Sequence, residues 1–357
     1  MDGQYIRKVL AAIGLAILGI VVLMLFKKAG HVLILFFAGC LVSVSLIEVS
    51  GFLAAKTPVP RKLWVGVGLL VIAALLVGAG FIFGPRVAEQ ADKLAENMPK
   101  AVDSVKEFVS RSPLLEELAD RIPPPGKIAG SVRDMLMRTA GILSSLAGAL
   151  LSAGIVLFIG IYMAVSPKPY VKGALKLLPP GRREQGRKVL RRTGSLLGRW
   201  VIGRLASMTV VGILTWIALL ILGIPLAFLL SLIAAILSFV PFFGPIVSAV
   251  PAVLIGFTIG PQTALWVIVA YLVVQVLESN MLTPIIQHKA VYIPPAMIVL
   301  SQMIFGAFFG LLGVVFATPL AALVLVLIEQ LYNRGIWDEE ETLPVSDKPL
   351  EDAGERI

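Results

Sequence analysis

The sequence predicts an all-α, polytopic integral membrane protein. Apolar residues make up 58% of the 357 residues, charged residues only 15%, and the mean hydropathy is +0.92. A soluble domain contains about 25% charged residues, so a soluble protein of this composition could not cover its surface with polar groups. The apolar runs are continuous, which excludes the alternating pattern of a membrane β-barrel. We therefore exclude a soluble enzyme, a disordered protein and a secreted disulfide scaffold, and expect about eight membrane helices of about 20 residues each.

The N-terminal region, residues 1–84, contains three apolar runs that predict three membrane helices. The runs cover residues 9–26, 32–47 and 63–84. The first run is longer than the apolar core of a secretory signal peptide, and no small-residue cleavage site precedes Lys27. We therefore expect the first run to remain in the protein as a membrane helix.

The segment 85–140 is polar and predicts an amphipathic helical insert outside the membrane. Its apolar residues recur at spacings of three and four, the period of one helix face. They are Val87, Ala91, Leu94, Met98, Val102, Val105 and Phe108. Three prolines at 123–125 end this pattern, and the next apolar stretch predicts a fourth membrane helix within 141–165.

The segment 166–204 is strongly basic, with eleven Lys or Arg residues and one acid, Glu184. Lys and Arg residues near membrane ends stay in the cytoplasm. Counting back along the predicted helices places the N-terminus in the cytoplasm. We expect the acidic tail, residues 332–357, to be cytoplasmic as well.

The basic segment also carries an apolar face, which predicts helices that lie on the membrane surface. Its cations would contact anionic lipid headgroups there. Six residues are the candidates for these contacts: Arg182, Arg183, Arg187, Lys188, Arg191 and Arg192. No nucleic-acid recognition fold accompanies the charge, so we do not expect a nucleic-acid partner.

In the C-terminal half, residues 205–331, proline and glycine interrupt the apolar runs. Non-helical backbone in lipid is tolerated only where protein or a water-filled cavity satisfies its polar groups. The interruptions lie at 239–245, 277–284 and 293–295, and the first is marked by Pro241, Gly244 and Pro245, with Pro251 further on. They predict broken or re-entrant segments, which are typical of transport sites. Ordinary turns at the membrane surface are the alternative.

Glu278 is the most informative ionisable residue, because it follows a long apolar run. A carboxylate at membrane depth is costly and tends to face a partner or a cavity. Glu278 is therefore a candidate for coupling transport to a proton or a cation. The alternative is a structural carboxylate at a helix end, hydrogen-bonded to Asn280 or Thr283. The other candidate residues of a substrate or ion path are Asn280, Thr283, Pro284, Gln275 and Gln302.

Enzyme, cofactor and metal functions find no support in the sequence. No aspartate lies within an apolar run, and neither an HExxH motif nor a phosphate-binding glycine loop occurs. The single cysteine, Cys40, allows no intramolecular disulfide and no cysteine-based metal site. We predict a protein that is not an enzyme and that holds no cofactor or metal.

Several motifs of the C-terminal half resemble the AI-2E family of bacterial membrane proteins, also called the autoinducer-2 exporter family. They are Leu178-Pro179-Pro180-Gly181, Leu222-Gly223-Ile224-Pro225, Val240-Pro241-Phe242-Phe243-Gly244-Pro245, Glu278-Ser279-Asn280 with Thr283-Pro284, Phe309-Gly310-Leu311-Leu312-Gly313 and Ala317-Thr318-Pro319. The resemblance implies about eight membrane passes, a large amphipathic insert and homo-oligomers. It also implies a site at Glu278, Asn280 and Pro284, shaped by Pro241, Gly244 and Pro245.

The sequence departs from the family pattern at Ser166-Pro167-Lys168 and at Gln287-His288-Lys289. These departures bear on the substrate more than on the fold. By resemblance, the expected cargo is a small polar signal molecule like autoinducer-2, or Na⁺ or Li⁺ exchanged for protons. We expect a secondary transporter in which Glu278 is the coupling carboxylate. The alternative is a membrane scaffold that binds protein partners through its amphipathic segments.

Overall fold

The computed structural model describes residues 3–110, 146–282 and 293–332, and this part of the chain is helical throughout except for its turns. The all-α prediction is therefore confirmed. The helices are α1 (Gly3–Lys56), α2 (Arg61–Ser110), α3 (Leu146–Val165), α4 (Pro167–Lys176), α5 (Arg183–Ile221), α6 (Ala227–Leu237), α7 (Phe243–Ile259), α8 (Pro261–Leu277) and α9 (Pro295–Tyr332). A 3₁₀ turn, Pro180–Arg182, precedes α5, and a π turn, Glu278–Leu282, extends α8.

Helix α1 is one helix of 54 residues, whereas the sequence predicted two, at 9–26 and 32–47. The residues between the runs include no proline, and one glycine lowers helix propensity without removing a backbone hydrogen bond. At 1.5 Å per residue the helix is about 81 Å long, against about 30 Å for the hydrocarbon core of a bilayer. Gly30–Lys56 is a stretch of α1 that is long and apolar enough to cross a membrane.

Helix α2 runs without a break from the predicted third membrane run into the predicted insert, and both Pro85 and Pro99 lie inside it. The amphipathic helix predicted at 87–108 is confirmed, since its apolar face is buried at Leu94, Met98 and Val102. No change of secondary structure marks the predicted domain boundary after residue 84. The prolines at 123–125 lie outside the described residues.

The described residues contain four helices that are long and apolar enough to cross a membrane: Gly30–Lys56, Pro180–Ile221, Pro261–Asn280 and Pro295–Ile328. A fifth span is formed if Leu151–Val165 and α4, which meet at a 90° bend, count as one. Helices α6 and α7 are apolar but shorter, with 11 and 17 residues. The fold is thus that of a polytopic membrane protein, and the count of about eight passes stays a prediction.

Glycine residues bring helices α1, α3 and α5 close together. A Cβ on Gly160 of α3 would lie 2.8 Å from Val42 Cγ1 of α1. A Cβ on Gly198 of α5 would lie 2.8 Å from the carbonyl oxygen of Val44, also on α1. Such close approach increases the van der Waals contact that holds helices together in lipid.

Helix α9 bends sharply at Gly310, whose φ of 64° and ψ of −147° are not helical. A Cβ on Gly306 would lie 2.8 Å from Val314 Cγ2, although residues eight apart in a straight helix are separated by about 12 Å. The halves 295–309 and 311–332 therefore pack against each other. Glycine adopts this positive φ without the steric cost that a Cβ would add. This bend was not predicted from the sequence.

Candidate functional site

A non-helical segment at 238–242 separates α6 from α7, where the sequence predicted the first break. Phe242 has a φ of 65°, which ends the helical geometry before α7 begins. Gly244 packs so closely on Leu237 that a Cβ would overlap the Leu237 carbonyl oxygen. Only glycine therefore fits at this position, and the chain turns tightly between the two short helices. We call the segment 238–242 the break.

The break offers two backbone carbonyl oxygens to side chains from other helices. Arg204 Nε of α5 donates a hydrogen bond to the Phe239 oxygen at 3.3 Å. Gln302 Nε2 of α9 donates to the Pro241 oxygen at 3.0 Å. Non-helical backbone among membrane helices needs such partners, so these two side chains explain how the break is stabilised. Gln302, a predicted path residue, is only 1% exposed.

Arg204 and Glu278 form a buried ion pair beside the break. Arg204 Nη1 lies 2.8 Å from Glu278 Oε1, and Ser207 Oγ donates to the same oxygen at 2.9 Å. The side chains of the pair are 9% and 5% exposed. The two charges neutralise each other where water is scarce, so each depends on the other for its stability in the fold.

The position of Arg204 corrects the sequence analysis, which counted this residue among the surface cations of 166–204. Helix α5 continues from that basic segment into an apolar stretch, so its last cation already lies between packed helices. Arg204 and Glu278 are the only charged residues in 204–282. Two opposite charges in an otherwise uncharged stretch were the signal that could have revealed the pair.

Aromatic side chains hold the break against three helices. The ring of Phe239 lies 5.9 Å from that of Trp200 on α5 and 6.2 Å from that of Phe316 on α9, between centroids. Phe316 in turn meets Phe37 of α1 at 6.3 Å. The three pairs are arranged edge to face, a favourable geometry for aromatic rings. The break is thus anchored by packing as well as by hydrogen bonds.

Helix α2 covers the start of α6, at the end of that helix opposite the break. Gln90 Oε1 accepts a hydrogen bond from the backbone N–H of Leu229 at 3.0 Å. The N–H groups of a first helical turn have no partner within the helix, so Gln90 caps α6. Leu94 and Met98 of α2 belong to the same buried apolar cluster as Leu230 of α6.

The remaining predicted path residues are placed as follows. Gln275 on α8 is half-buried and Asn280 in the π turn is exposed. Thr283 and Pro284 lie outside the described residues. Pro251 is buried within α7. Of the predicted residues, the structure thus brings Glu278, Gln302 and Pro241 together around the break, and the roles of the others stay predictions.

The basic segment, residues 166–204, begins at a sharp bend after α3. Helix α4 makes a 90° angle with α3, and the six candidate lipid-contacting residues are all exposed: Arg182, Arg183, Arg187, Lys188, Arg191 and Arg192. Arg187 lies 3.9 Å from Glu184, in an exposed pair. This arrangement presents positive charge outward. Within the part of the chain that the structure describes, no group of three His, Cys, Asp or Glu residues is placed to hold a metal ion.

Long apolar helices, a non-helical break between two of them and a buried ion pair beside it define a polytopic integral membrane protein of the transport class. The chain matches the family described as AI-2E family transporter over residues 12–333 and belongs to that family. The motif resemblance found in the sequence is therefore confirmed.

Individual relatives carry names of transport proteins. The chain is 26% identical over 329 residues to a protein of Escherichia coli (strain K12) named as the permease PerM, covering 86% of this chain and 92% of the relative. It is 26% identical over 284 residues to YueF of Bacillus subtilis (strain 168), named as a transport protein, covering 74% and 75%. It is 24% identical over 191 residues to the "AI-2 transport protein TqsA" of Escherichia coli (strain K12), covering 53% and 55%. These names fit a membrane protein that transports rather than an enzyme.

Proposed function

We propose that this protein is a secondary transporter of a bacterial inner membrane that moves a small polar molecule and couples its movement to protons through Glu278. The observation that carries the proposal is the buried Arg204–Glu278 pair next to the break. Buried ionisable residues among membrane helices mark substrate paths and proton relays. Interrupted helices at the same place are the usual setting of a transport site.

A polar signal molecule like autoinducer-2 is the first candidate cargo. One relative, TqsA, is named for AI-2 transport. Gln302, Ser207 and the carbonyl oxygens of the break supply hydrogen-bonding groups of the kind that a polar molecule needs.

Exchange of Na⁺ or Li⁺ for protons is less well supported by the geometry. Arg204 Nη1 already occupies Glu278 Oε1 at 2.8 Å. A cation bound to that carboxylate would lie within a few ångströms of the guanidinium charge, and like charges repel strongly away from water. The site thus favours a polar molecule over a bare cation.

The scaffold alternative is also weakened by the packing of α2. Its amphipathic face was one of the surfaces offered to protein partners, but Leu94, Met98 and Ala101 are fully buried. Helices α6 and α7 of the same chain supply the residues that cover this face, among them Leu230 and Ile255. That face is therefore used within the protein.

We place the basic segment and both termini in the cytoplasm, since Lys and Arg near membrane ends are retained on that side. The exposed cations at 182–192 then face the inner leaflet. Anionic lipid headgroups attract such clusters by about 1 kcal/mol per residue near the surface. Homo-oligomers remain a family-based expectation.

The test is proton movement in proteoliposomes that contain the full chain and a pH-sensitive dye. Autoinducer-2 is added outside in one arm, and Na⁺ or Li⁺ in the other. We expect a dye signal with autoinducer-2 that Glu278→Gln abolishes. The matched control is Glu48→Gln, the same chemical change at a half-buried carboxylate outside the cluster, which should keep the signal.

Two results would contradict the proposal. A signal that survives in Glu278→Gln protein would remove Glu278 as the coupling group. A signal that only Na⁺ or Li⁺ produces would replace the polar cargo by cation exchange. Unfolding temperatures of both variants are measured first, and proton movement is compared only between variants that are folded in the vesicles.

A further inference from the structure

The charge balance of the site restricts what it can bind. Glu278 is the only charged residue in 205–282, and none occurs in 295–328. The neighbouring charges on α5 and α1 are Arg199 and Glu48, which face each other at 3.9 Å in a more exposed pair. In the described part of the chain, the negative charge beside Arg204 thus comes from Glu278.

Protonation of Glu278 leaves Arg204 without that charge. The guanidinium stays charged because it is not deprotonated in proteins, and an uncompensated buried charge is strongly destabilising. The Phe239 carbonyl oxygen, 3.3 Å from Nε, is neutral and cannot replace a carboxylate. An anion that enters with the proton compensates Arg204 again, because the guanidinium then faces one negative charge, as before.

Arg204 also has N–H groups that can donate hydrogen bonds to such an anion. Its planar fork carries five N–H groups, and the described residues accept from Nε and Nη1. A carboxylate binds this fork with two parallel hydrogen bonds, which is the strongest arrangement for the pair. When Glu278 is protonated, the Arg204 guanidinium therefore suits the carboxylate of a ligand.

Gln302 sets a second requirement for the ligand, a hydrogen-bond donor. Its Oε1 is buried and accepts no hydrogen bond from the described residues, while its Nε2 donates to the Pro241 oxygen. Pro241 is two residues from Phe239, the residue that Arg204 contacts, so the Cα atoms of these two are at most about 7 Å apart. A ligand with a hydroxyl group close to its acidic group can donate to Gln302 Oε1 while Arg204 holds the acid.

We propose that the cluster binds a small hydroxylated organic anion together with one proton, with Arg204 holding the anionic group and Gln302 Oε1 accepting a hydroxyl. The proton binds Glu278, and the anion replaces the Glu278 carboxylate as the negative charge beside Arg204. Release of the proton re-forms the Arg204–Glu278 ion pair and expels the anion. Proton and anion therefore move in the same direction. This inference rests on the proposed transport function, of which it specifies the substrate class.

The test measures binding to the purified full chain in detergent, by thermal unfolding at constant ionic strength and pH 7.5. Three probes of similar size separate the requirements: lactate, propionate, which lacks the hydroxyl, and lactamide, which lacks the charge. Glu278→Gln mimics the protonated carboxyl. We expect lactate to raise the unfolding temperature of this variant by about 2 °C or more, propionate to raise it less, and lactamide to have no effect.

Three further proteins complete the comparison. The wild type at pH 7.5 and the double variant Arg204→Gln/Glu278→Gln should bind lactate at least about tenfold more weakly than Glu278→Gln. In the wild type the guanidinium is paired with the Glu278 carboxylate, and in the double variant the guanidinium is absent. Gln302→Leu, added to Glu278→Gln, should reduce the preference for lactate over propionate about two- to tenfold. A folded Glu278→Gln protein that responds equally to lactate and lactamide would overturn the proposal.

If Glu278→Gln does not fold, Glu278→Ala is tested with the same probes at pH 7.5. Tighter binding of lactate than of lactamide supports the proposal, and equal binding of the two overturns it. Binding and flux are separate readouts. Lactate binding without proton movement in vesicles would refute the transport function alone, whereas proton-coupled flux without selective anion binding would refute only the substrate class.

Discussion

Gln90 and Leu229 are 139 residues apart in the chain, yet the Gln90 side chain caps helix α6 at Leu229, in its first turn. Gln90 Oε1 accepts the Leu229 N–H at 3.0 Å. Helix α6 is only 11 residues long, and isolated helices of this length are marginally stable. The contact therefore fixes the position of α6, and with it the break that follows.

Replacing Gln90 by Ala should destabilise the protein by about 0.5–2 kcal/mol, the usual cost of losing a helix cap. The unfolding temperature in detergent measures this change. Asn97→Ala is the matched control, because Asn97 is a half-buried amide on the same helix that donates to Lys93 only one turn away. Equal effects of the two substitutions would show that the cap on α6 contributes nothing.

The crossing of α1 and α3 predicts opposite effects for two glycines of the same helix. Gly160→Ala places a methyl group 2.8 Å from Val42 Cγ1, and overpacking of this kind costs about 1–3 kcal/mol. Gly154 has no atom within 4 Å of its Cβ position, so Gly154→Ala should be neutral or stabilising by up to about 1 kcal/mol. Thermal unfolding distinguishes the two. A destabilising Gly154→Ala would contradict the predicted packing.

The buried ion pair predicts a non-additive mutant cycle. Arg204→Gln alone removes the guanidinium beside the buried Glu278 carboxylate and should cost about 3–5 kcal/mol. The double variant Arg204→Gln/Glu278→Gln removes both charges and should recover a large part of this loss. The exposed pair Arg199–Glu48, 3.9 Å apart, is the control, and its single variants should cost less than about 1 kcal/mol. Additive effects at Arg204 and Glu278 would argue against direct coupling.

The exposed cations of α5 predict a preference for anionic lipid. In nanodiscs, phosphatidylglycerol should raise the unfolding temperature relative to phosphatidylcholine. Replacing four cations by glutamine should remove most of this difference: Arg187, Lys188, Arg191 and Arg192. The control replaces exposed cations of α2 that lie in the predicted insert on the other side: Arg86, Lys93 and Lys100. High salt should weaken the preference in the unmodified protein, because salt screens surface charge.

Much of the fold could be predicted from local sequence. Pro241 marks the break because proline lacks a backbone N–H and disfavours a regular helix, although Pro85 and Pro99 lie inside the unbroken α2. The three-to-four spacing of apolar residues marks the helix at 87–108. The bend at Gly310 was not predictable in the same way. Glycine permits a positive φ but does not require it, and the bend depends on the packing of Gly306 against Val314, which no periodicity reveals.

The site was predicted in part. Glu278 and Gln302 stand out because they are polar residues within apolar runs. Arg204 does not, since it ends a run of cations that local context assigns to the membrane surface. Its pairing depends on how α5 and α8 pack, 74 residues apart in the chain, and tertiary contacts over such distances leave no local pattern.

The same separation has a consequence for biosynthesis. Arg204 leaves the ribosome 74 residues before Glu278, which at 5–20 residues per second is about 4–15 s. During this time Arg204 has no carboxylate beside it, and the insertion of a cation at the centre of a bilayer costs about 2.5–3.5 kcal/mol. We therefore expect α5 to complete its integration late, when α8 brings the carboxylate. The order of synthesis makes α8 the segment that commits the C-terminal half to its final arrangement in the membrane.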